Sequence, residues 1–545
     1  MKWTTHRVEN QVPPLQDYNL FQTDKALLEG SQREGAQAWL ADLTAYGAWL
    51  GQADTIAQGA TANVNQPVAH IFDRWGNRVD AVHFDPAWHT FMRQGFQQGM
   101  HCSAWAEPRQ GAQVARAINY LMHGQVEAGS LCPLTMTSAA IPLLQKESFF
   151  DMLEPFLYSR AYDPTDAPLD QKASMMVGMG MTEKQGGSDL RTNTTRAAPV
   201  GAGGRGGEYL LTGHKWFFSS PTSDAHLVLA GHEQQLSCFY VPRWLPDGRR
   251  NSVHLQRLKN KMGNTSNASG EVEFKDAYGL LVSEPGRGVA TLVEMAANTR
   301  LDCVLGSAAL LRQAVVQAIH HARHRNAFGK FLIDQPLMGS VLTDLALESE
   351  AATMLALRLA RAFEPGDDPL EQAYRRILTP ASKFWVCKRT IEAMGECMEV
   401  WGGNGYIEDG PMPRLYREAP VNSIWEGSGN VMCLDVLRGI QRDPELSEAL
   451  SSSLLRDSAD EPVLAKQAQD LMALLTRSGP DLQAAARYVA QQLVLIVQAN
   501  LMRRHSPTHV ADTFIRTRFG SESGRVFGVV SDQTVTRAIF QRAWH

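Results

Sequence analysis

The chain has 545 residues, with 52 Lys and Arg against 57 Asp and Glu, so its formal charge is −5. This balance excludes a uniformly basic nucleic-acid coat and a polybasic membrane binder. A content of 44% hydrophobic and 20% charged residues is that of a globular protein, and the length suggests about three or four domains.

Three features predict a cytoplasmic protein without a membrane partner or a metal. The N-terminal residues lack a signal-peptide core, and the apolar stretch at 493–502 is about half of the roughly 20 residues that cross a bilayer. Seven scattered cysteines without a C-x-x-C pair predict reduced core thiols. His320, His321 and His324 lie together without an evident further ligand, which favours structural histidines.

The spacing of apolar residues changes three times along the chain. This pattern predicts a mainly α protein with a central antiparallel β domain. Apolar residues at helical spacing, as at 114–129, predict helices in the first region. Short alternating runs separated by Gly, Pro, Asn and Asp predict strands in the second. The expected order is a helical N-terminal domain, the β domain, a helical bundle and a C-terminal helical domain: residues 1–180, 181–290, 291–440 and 441–545.

A G-x-G-x-x-G pattern at Gly201, Gly203 and Gly206 resembles a dinucleotide fingerprint. That fingerprint requires a strand before the glycines and a helix after them. Here the strand-like run EYLLTG follows the glycines, so the pattern predicts a hairpin loop.

The first segment with chemical content is MTEKQGGSD at 181–189. Thr182 and Ser188 offer hydroxyl groups, and Gly186 and Gly187 let backbone N–H groups approach a ligand. The alternative is an ordinary polar turn.

The second segment is GHKWFFSSP at 213–221, which predicts a strand with Phe217 and Ser219 on the same face. An aromatic ring followed two residues later by a hydroxyl can stack on a planar heteroaromatic ring and bond to its edge. Packing of Phe217 in the core is the alternative.

The third segment, at 400–437, contains a glycine turn and the sequence WEGSGN before a helical run. Gly402, Gly403 and Gly405 let the backbone approach a phosphate, and Ser428 to Asn430 place helix N-terminal amides where an anion can bind. Glu426 precedes this helix and can serve either as a reactive carboxylate or as a partner of the helix dipole.

Together these motifs resemble the acyl-CoA dehydrogenase family. Motifs similar to T-E-x-x-x-G-S-D, G-x-K-x-F-x-S, R-x-x-F-G, G-G-N-G and E-G-[ST] occur in the family's order over about residues 100–440. The strings MTEKQGGSD, GHKWFFS, VEAGSLCP and PVNSIWEGSGN resemble the AidB-type branch, which responds to DNA alkylation and carries an extra C-terminal helical domain.

The resemblance implies FAD as cofactor, an acyl-CoA thioester as substrate and a homotetramer. Phe217 would lie against the flavin and Ser219 near its N5, while Arg325 and Phe328 would meet the FAD of a neighbouring subunit. The full set implied to bind the cofactor is Met179, Gly180, Met181, Thr182, Glu183, Lys184, Gln185, Gly186, Gly187, Ser188, Phe217, Phe218, Ser219, Arg325, Phe328, Gly402, Gly403, Ile424, Trp425, Gly427, Ser428, Gly429, Asn430, Val431, Met432, Cys433 and Leu434.

Glu426 matches the family's catalytic base. It would remove the α-proton of an acyl thioester while the β-hydride passes to the flavin. Two departures count against routine β-oxidation: Lys184 replaces the usual proline, and Trp425 replaces a smaller or phenolic residue. Trp425 either narrows the acyl channel, which favours short or branched substrates, or packs beneath the site.

AidB-type proteins are described as DNA-binding through their C-terminal domain, and the local charge bears on this. Residues 442–470 carry three basic and seven acidic side chains, a net −4, whereas residues 471–545 carry nine arginines and four carboxylates, a net +5. A phosphate-facing patch is predicted from Arg503, Arg504, Arg516, Arg518 and Arg525. The alternative is a solvated face with arginines paired to Asp512, Glu522 and Asp532.

Two functions follow for one predicted fold, the acyl-CoA dehydrogenase fold plus an extra C-terminal helical domain. The first is an AidB-type flavoprotein that binds double-stranded DNA, protects it from alkylation and retains dehydrogenase activity. The second is an ordinary metabolic acyl-CoA dehydrogenase with no DNA role. The basic C-terminal segment and Trp425 favour the first, and the retained Glu426 supports the second.

Overall fold

A computed structural model describes residues 5–233, 235–520 and 523–544. The chain divides into two compact units. The β unit comprises residues 57–112 and 126–302, and the helical unit comprises residues 1–56, 113–125 and 303–545.

Helices dominate the described residues. The α-helices are α1 Lys25–Arg33, α2 Leu40–Leu50, α3 Ala53–Val64, α4 Pro86–Gln97, α5 Ser103–Ala106, α6 Ala112–Val126, α7 Leu131–Leu144, α8 Phe150–Leu157, α9 Gly288–His324, α10 Pro336–Ala362, α11 Pro369–Ala373, α12 Thr379–Val400, α13 Met412–Asn422, α14 Gly429–Arg442, α15 Pro444–Ser458, α16 Pro462–Leu475, α17 Gly479–His505, α18 Thr508–Phe519 and α19 Gln533–Ala543.

The strands form one large sheet and two small hairpins. They are β1 Val68–Phe72, β2 Arg78–His83, β3 Val177–Gly180, β4 Arg196–Pro199, β5 Glu208–Ser219, β6 Ala225–His232, β7 Gln235–Pro242, β8 Val253–Leu258, β9 Ser269–Val282, β10 Asn326–Ala327 and β11 Lys330–Phe331.

The large sheet of the β unit closes on itself. Strands β6, β4, β5, β9 and β7 pair in that order, and β7 pairs again with β6. Most pairings are antiparallel, as the sequence predicts, but β3 and β4 each run parallel to β6. Closure leaves few free strand edges. Alternating side chains such as Tyr209, Leu211 and Phe239 fill the interior.

The glycine-rich segment at 200–207 connects the antiparallel strands β4 and β5. The prediction of a hairpin loop is therefore confirmed, and a dinucleotide fingerprint is excluded because β5 follows the glycines. Gly201, Gly203, Gly204 and Gly206 all have positive φ, which a glycine adopts without steric strain.

A hairpin at 68–83 departs from the helical texture expected of residues 1–180. Strands β1 and β2 pair antiparallel across the sequence DRWGN, in which Asp73 accepts hydrogen bonds from the backbone N–H groups of Trp75 and Asn77. This Asp turn followed by glycine is a local signal for a hairpin.

Long apolar helices form the core of the helical unit. Helix α9 is long and apolar enough to meet the length criterion of a membrane span, but 89% of its most apolar window is buried inside the protein, as in a core helix. In the C-terminal region, α17 buries nearly every residue from Val489 to Met502 and packs on α10, α12 and α14. All seven cysteines are free and buried, as predicted.

Candidate functional site

The end of β5 presents one aromatic ring outward and the next inward. Pairing with β9 shifts register between Lys215 and Phe218, so strict alternation is interrupted. Phe217 is 53% exposed, which excludes its packing in the core. Phe218 is buried in the sheet interior, so the prediction of a cofactor contact fits only its backbone.

The backbone at Ser219 is fixed by His226. The imidazole of His226 stacks on Phe218 with ring centroids 3.8 Å apart, and its Nε2 lies 3.3 Å from the Ser219 carbonyl oxygen. Burial lowers the pKa of His226 to about 3, so the neutral ring can donate a hydrogen bond to that carbonyl. The next residue, Ser220, has a φ of 50°. The contact with buried His226 and the positive φ of Ser220 therefore fix the position of Ser219.

The segment after β3 lies against β5. The backbone N–H of Trp216 donates to the Thr182 carbonyl at 2.9 Å, which brings the 181–189 segment beside Phe217. A Cβ added at Gly187 would lie 3.0 Å from the Thr182 side chain, and one at Gly186 would lie 2.5 Å from the Thr192 hydroxyl. Only glycine fits these two positions without displacement. Ser188 and Lys184 are exposed.

Glu426 lies in a strained turn of the helical unit, between α13 and α14. Its φ is 58°, a left-handed value that is uncommon for a residue with a Cβ, and Gly427 follows with a φ of 109°. The buried ammonium group of Lys383 donates to the Gly427 carbonyl at 2.7 Å. Strain of this kind is typical of functional sites, where surrounding contacts hold it in place.

Helix α14 begins immediately after this turn. Ser428 is the N-cap residue, and the first amides of the helix lack partners inside it. Met432 and Cys433 are buried, so the prediction of cofactor contacts fits only their backbones. The indole N–H of Trp425 donates to the Asn422 side chain at 3.1 Å within the same turn, and the ring is half-buried.

The hairpin formed by β10 and β11 exposes an aromatic ring. Phe328 is 98% exposed and has a φ of 53°. The guanidinium of Arg325 donates to the Asn10 carbonyl oxygen, which ties the hairpin to the N-terminal segment. Elsewhere in the helical unit, a Cβ added at Gly402 or Gly403 would meet nothing within 4 Å, so this turn is open to a ligand.

The C-terminal arginines of the predicted patch differ in exposure. Arg518 is only 9% exposed and bonds to Asp344 at 2.6 Å and to Glu348 at 2.9 Å. It is therefore not available to a phosphate group, and its predicted place in a DNA-facing patch is wrong. Arg525 is exposed, and Arg516 lies 4.0 Å from Asp532. Asp512 is exposed, whereas Glu522 lies outside the described residues.

Arg456, Arg503 and Arg504 converge on Asp457. Arg504 bonds to the Asp457 carboxylate at 2.5 Å, Arg456 bonds to it at 3.2 Å, and Arg503 donates to the Asp457 carbonyl at 3.4 Å. With Asp460 they line a surface cavity of about 240 Å³. We call these three arginines the arginine cluster. The sequence analysis missed Arg456 because it lies in the acidic connector, whose charge balance concealed it.

Three family models match the chain in succession. The model of the adaptive response protein AidB N-terminal domain matches residues 10–164. The acyl-CoA dehydrogenase middle-domain model matches residues 178–277, and the C-terminal-domain model matches residues 286–441. With the closed sheet, the flavin motifs and the Glu426 turn, these matches establish that the chain belongs to the acyl-CoA dehydrogenase family of FAD-dependent oxidoreductases.

Within the family the chain is of the AidB type, which confirms the resemblance seen in the motifs. It is 46% identical over 529 residues to the putative acyl-CoA dehydrogenase AidB of Escherichia coli K12, and the match covers 96% of each chain. The solved Bd2924 apo-form is 27% identical with a TM-score of 0.83, covering 91% of this chain and 100% of that one. Caenorhabditis elegans ACDH-11 in complex with C11-CoA shares the fold, with 23% identity, a TM-score of 0.83 and coverage of 100% and 93%.

The residues present fit FAD. Phe217 offers an exposed ring face beside Ser219, and the exposed Ser188 offers a hydroxyl group in the adjacent segment. Among the described residues, no group of three or more His, Cys, Asp and Glu side chains could hold a metal ion. His320 bonds to the Pro13 carbonyl and His324 to the His320 carbonyl, which gives both imidazoles structural partners.

Proposed function

We propose that this chain is an AidB-type flavoprotein with two activities, dehydrogenation of short or branched acyl-CoA thioesters and binding of double-stranded DNA that protects it from alkylation. In the β unit, FAD would be held by the Thr182 segment and Phe217. The seven free thiols suit the reducing cytoplasm.

Glu426 would act as the base of the dehydrogenation. When bound, FAD supplies the acceptor for the hydride that leaves the β-carbon. The Glu426 carboxylate would take the α-proton, and the bond from Lys383 to the Gly427 carbonyl would hold the turn that aims it. Trp425, tied to Asn422, would limit the acyl chain that reaches Glu426.

The substrate is tested by anaerobic flavin reduction. Purified protein should be yellow, and short acyl-CoA thioesters, including isovaleryl-CoA, should bleach the flavin at catalytic rates. A long straight-chain thioester that reduces the flavin faster than every short or branched one would contradict the substrate assignment. Protein that takes up no FAD would contradict the whole proposal.

The arginine cluster is the observation that carries the DNA proposal. It places three guanidinium groups around one carboxylate on the surface of the C-terminal helices, and Arg525 adds a further exposed charge. Phosphate oxygens can replace a carboxylate as guanidinium partners with the same bidentate geometry. Binding of this kind is independent of sequence and weakens steeply with salt.

A titration of duplex DNA at two salt concentrations tests this proposal. Wild-type protein should bind at low salt and lose affinity at higher salt, and the double variant Arg504→Glu with Arg525→Glu should abolish binding. Arg249→Glu is the control for charge reversal, because Arg249 is also exposed but lies in the β unit. Salt-insensitive binding, or equal loss in the control, would contradict a phosphate-binding cluster.

The alternative is an ordinary metabolic acyl-CoA dehydrogenase without a DNA role, and the retained Glu426 favours it. The same titration separates the two, since absence of DNA binding together with rapid flavin reduction supports the alternative. Under either function we propose a homotetramer, because Phe328 at 98% exposure is an aromatic ring that a neighbouring subunit could cover.

A further inference from the structure

A fully buried ion pair lies directly behind the segment assigned to the flavin. Lys215 on β5 donates from Nζ to Oε1 of Glu183 at 2.7 Å, and both side chains are 0% exposed. Glu183 is flanked by Thr182, and Lys215 lies two residues before Phe217. The pair therefore joins the two segments of the β unit that carry the proposed flavin contacts.

The Glu183 side chain binds several residues of the segment that follows it. Its carboxylate accepts hydrogen bonds from the backbone N–H groups of Thr194 at 2.6 Å and Thr195 at 3.2 Å, and from the Gln185 side chain at 2.7 Å. These bonds close residues 183–195 into a loop whose two ends meet at one carboxylate. The loop contains the Gly186, Gly187 and Ser188 positions.

Lys215 also reaches the backbone on the other side of Glu183. Its Nζ lies 3.4 Å from the Met181 carbonyl oxygen, which also accepts from the Asn193 side chain at 2.9 Å. The Thr182 carbonyl is bonded to the Trp216 N–H. Successive carbonyls at 181 and 182 are thus tied to successive residues of β5.

Both members of the pair are charged near neutral pH. Burial of Glu183 opposes its ionisation, but the Lys215 ammonium and the backbone donors outweigh burial and lower its pKa to about 2. Burial lowers the pKa of Lys215 to about 8, although Glu183 opposes that shift. Removal of two charges from water costs much of what their attraction returns, so such a pair is weak evidence for stability.

We propose that Lys215 and Glu183 are positioning residues for FAD, which hold the Met181–Thr182 backbone and the 183–195 loop in the binding conformation before the cofactor arrives. The inference rests on the FAD site proposed at Thr182 and Phe217. Preorganisation of this kind improves affinity because the loop need not be ordered on binding.

The test uses the full chain freed of FAD and compares three variants with wild type. Glu183→Gln and Lys215→Met each leave one buried charge without its partner. The double variant Glu183→Gln with Lys215→Met is close to isosteric and removes both charges, so it avoids the cost of an unpaired buried charge. Two quantities are measured beside the melting temperature: the Kd of FAD, and the rate of tryptic cleavage after Arg191.

Arg191 reports directly on the loop, because it lies within residues 183–195 and its side chain is 89% exposed. A loosened loop should be cut faster whether or not flavin is present. Lys172→Met is the matched control. Lys172 and Asp224 form another buried pair in the β unit at 2.7 Å, and among the described residues neither bonds to residues 181–195.

In the double variant we expect a melting temperature near that of wild type, FAD binding weakened by at least about tenfold, and faster cleavage after Arg191. Lys172→Met should lower the melting temperature while leaving the other two quantities unchanged. A double variant with wild-type FAD affinity and wild-type cleavage would overturn the inference and leave the FAD site standing. Absence of FAD binding by wild type would overturn both.

Discussion

At the scale of single residues, the conformation of Glu426 connects packing to chemistry. A left-handed φ on a residue with a Cβ costs of order 1–3 kcal/mol and persists only where neighbours fix it. Here the turn runs between two helices, and Lys383 bonds to the carbonyl of the next residue. The surrounding contacts therefore stabilise a backbone conformation at Glu426 that is otherwise unfavourable.

Replacement of Glu426 by Gln should lower the rate of flavin reduction by acyl-CoA about 10²–10⁴-fold, the usual contribution of a general base. FAD binding should persist, since the amide keeps the size of the carboxylate. Stopped-flow absorbance under anaerobic conditions measures the rate. Glu408→Gln is the control, because Glu408 forms an exposed pair with Arg417 that contributes little. A Gln variant with the wild-type rate would exclude Glu426 as the base.

The lowered pKa of Glu183 predicts that acid reduces the free energy of unfolding of the β unit. Its pKa is lowered from 4.5 to about 2 in the folded chain, so the unfolded state binds more protons in this window. The stabilisation is fully present above pH 4.5 and is lost as the pH falls toward 2. Urea unfolding between pH 5 and 3 should show a steep loss of stability in wild type and a flatter one in Glu183→Gln. Parallel curves would contradict the assigned shift.

Single positions also show the limits of local sequence patterns. Alternation along β5 buries Tyr209, Leu211 and Lys215 and would bury Phe217 as well, but the register shift between Lys215 and Phe218 turns Phe217 outward, which period two does not reveal. The burial of Arg518 is not local, since its partners Asp344 and Glu348 lie 174 and 170 residues earlier. A count of arginines in the C-terminal segment therefore overestimates the surface charge.

At the scale of elements, the hairpin of β10 and β11 presents Phe328 without internal packing. Phe328→Ala should change the unfolding free energy of one subunit by no more than about 0.5 kcal/mol, as exposed substitutions do. If the ring docks on a neighbouring subunit, the variant should shift sedimentation velocity profiles from tetramer toward smaller species and weaken FAD binding.

Trp75→Ala is a matched control for this prediction, because Trp75 is a similarly exposed ring on the hairpin of β1 and β2. It should leave both assembly and FAD affinity unchanged. A Phe328 variant that sediments as wild type and keeps its affinity for FAD would remove the hairpin from the subunit interface.

The strand at GHKWFFS was predictable from its local pattern, whereas the register shift within it was not. The hairpin at 68–83 was not predicted, although its Asp turn is a recognisable local signal. Its strands have only five and six residues and lie between segments with a helical pattern. Closure of the sheet was not predictable from local patterns, because β6 pairs with β4 as well as with β7, its neighbour in sequence.

At the scale of the whole molecule, the charge of −5 combines an acidic connector with a basic C-terminal segment. The fold brings parts of the two together, because Asp457 of the connector is the common partner of the arginine cluster. One arginine of the segment is used differently: Arg518 joins the C-terminal helices to α10 through two buried carboxylates.

Substitutions of Arg518 and Arg504 should therefore have different effects on stability and on DNA binding. Arg518→Met leaves Asp344 and Glu348 buried without their main cation, which should cost about 3–5 kcal/mol and lower the melting temperature together with DNA binding. Arg504→Gln, at a half-exposed position, should lose DNA affinity with little change in melting temperature, because Arg456 and Arg503 still bond to Asp457. Calorimetry and DNA titration on the same preparations measure both.

A second variant separates folding from contact at this site. Asp344 also accepts from the backbone N–H groups of Gly528 and Val529, and Asn at 344 keeps an acceptor for them. Arg389 stays 3.4 Å from Glu348, so Arg518→Met with Asp344→Asn removes the carboxylate left unpaired. It should recover much of the stability and, with it, DNA binding. Recovery of the melting temperature without DNA binding would mean that Arg518 itself reaches the phosphates.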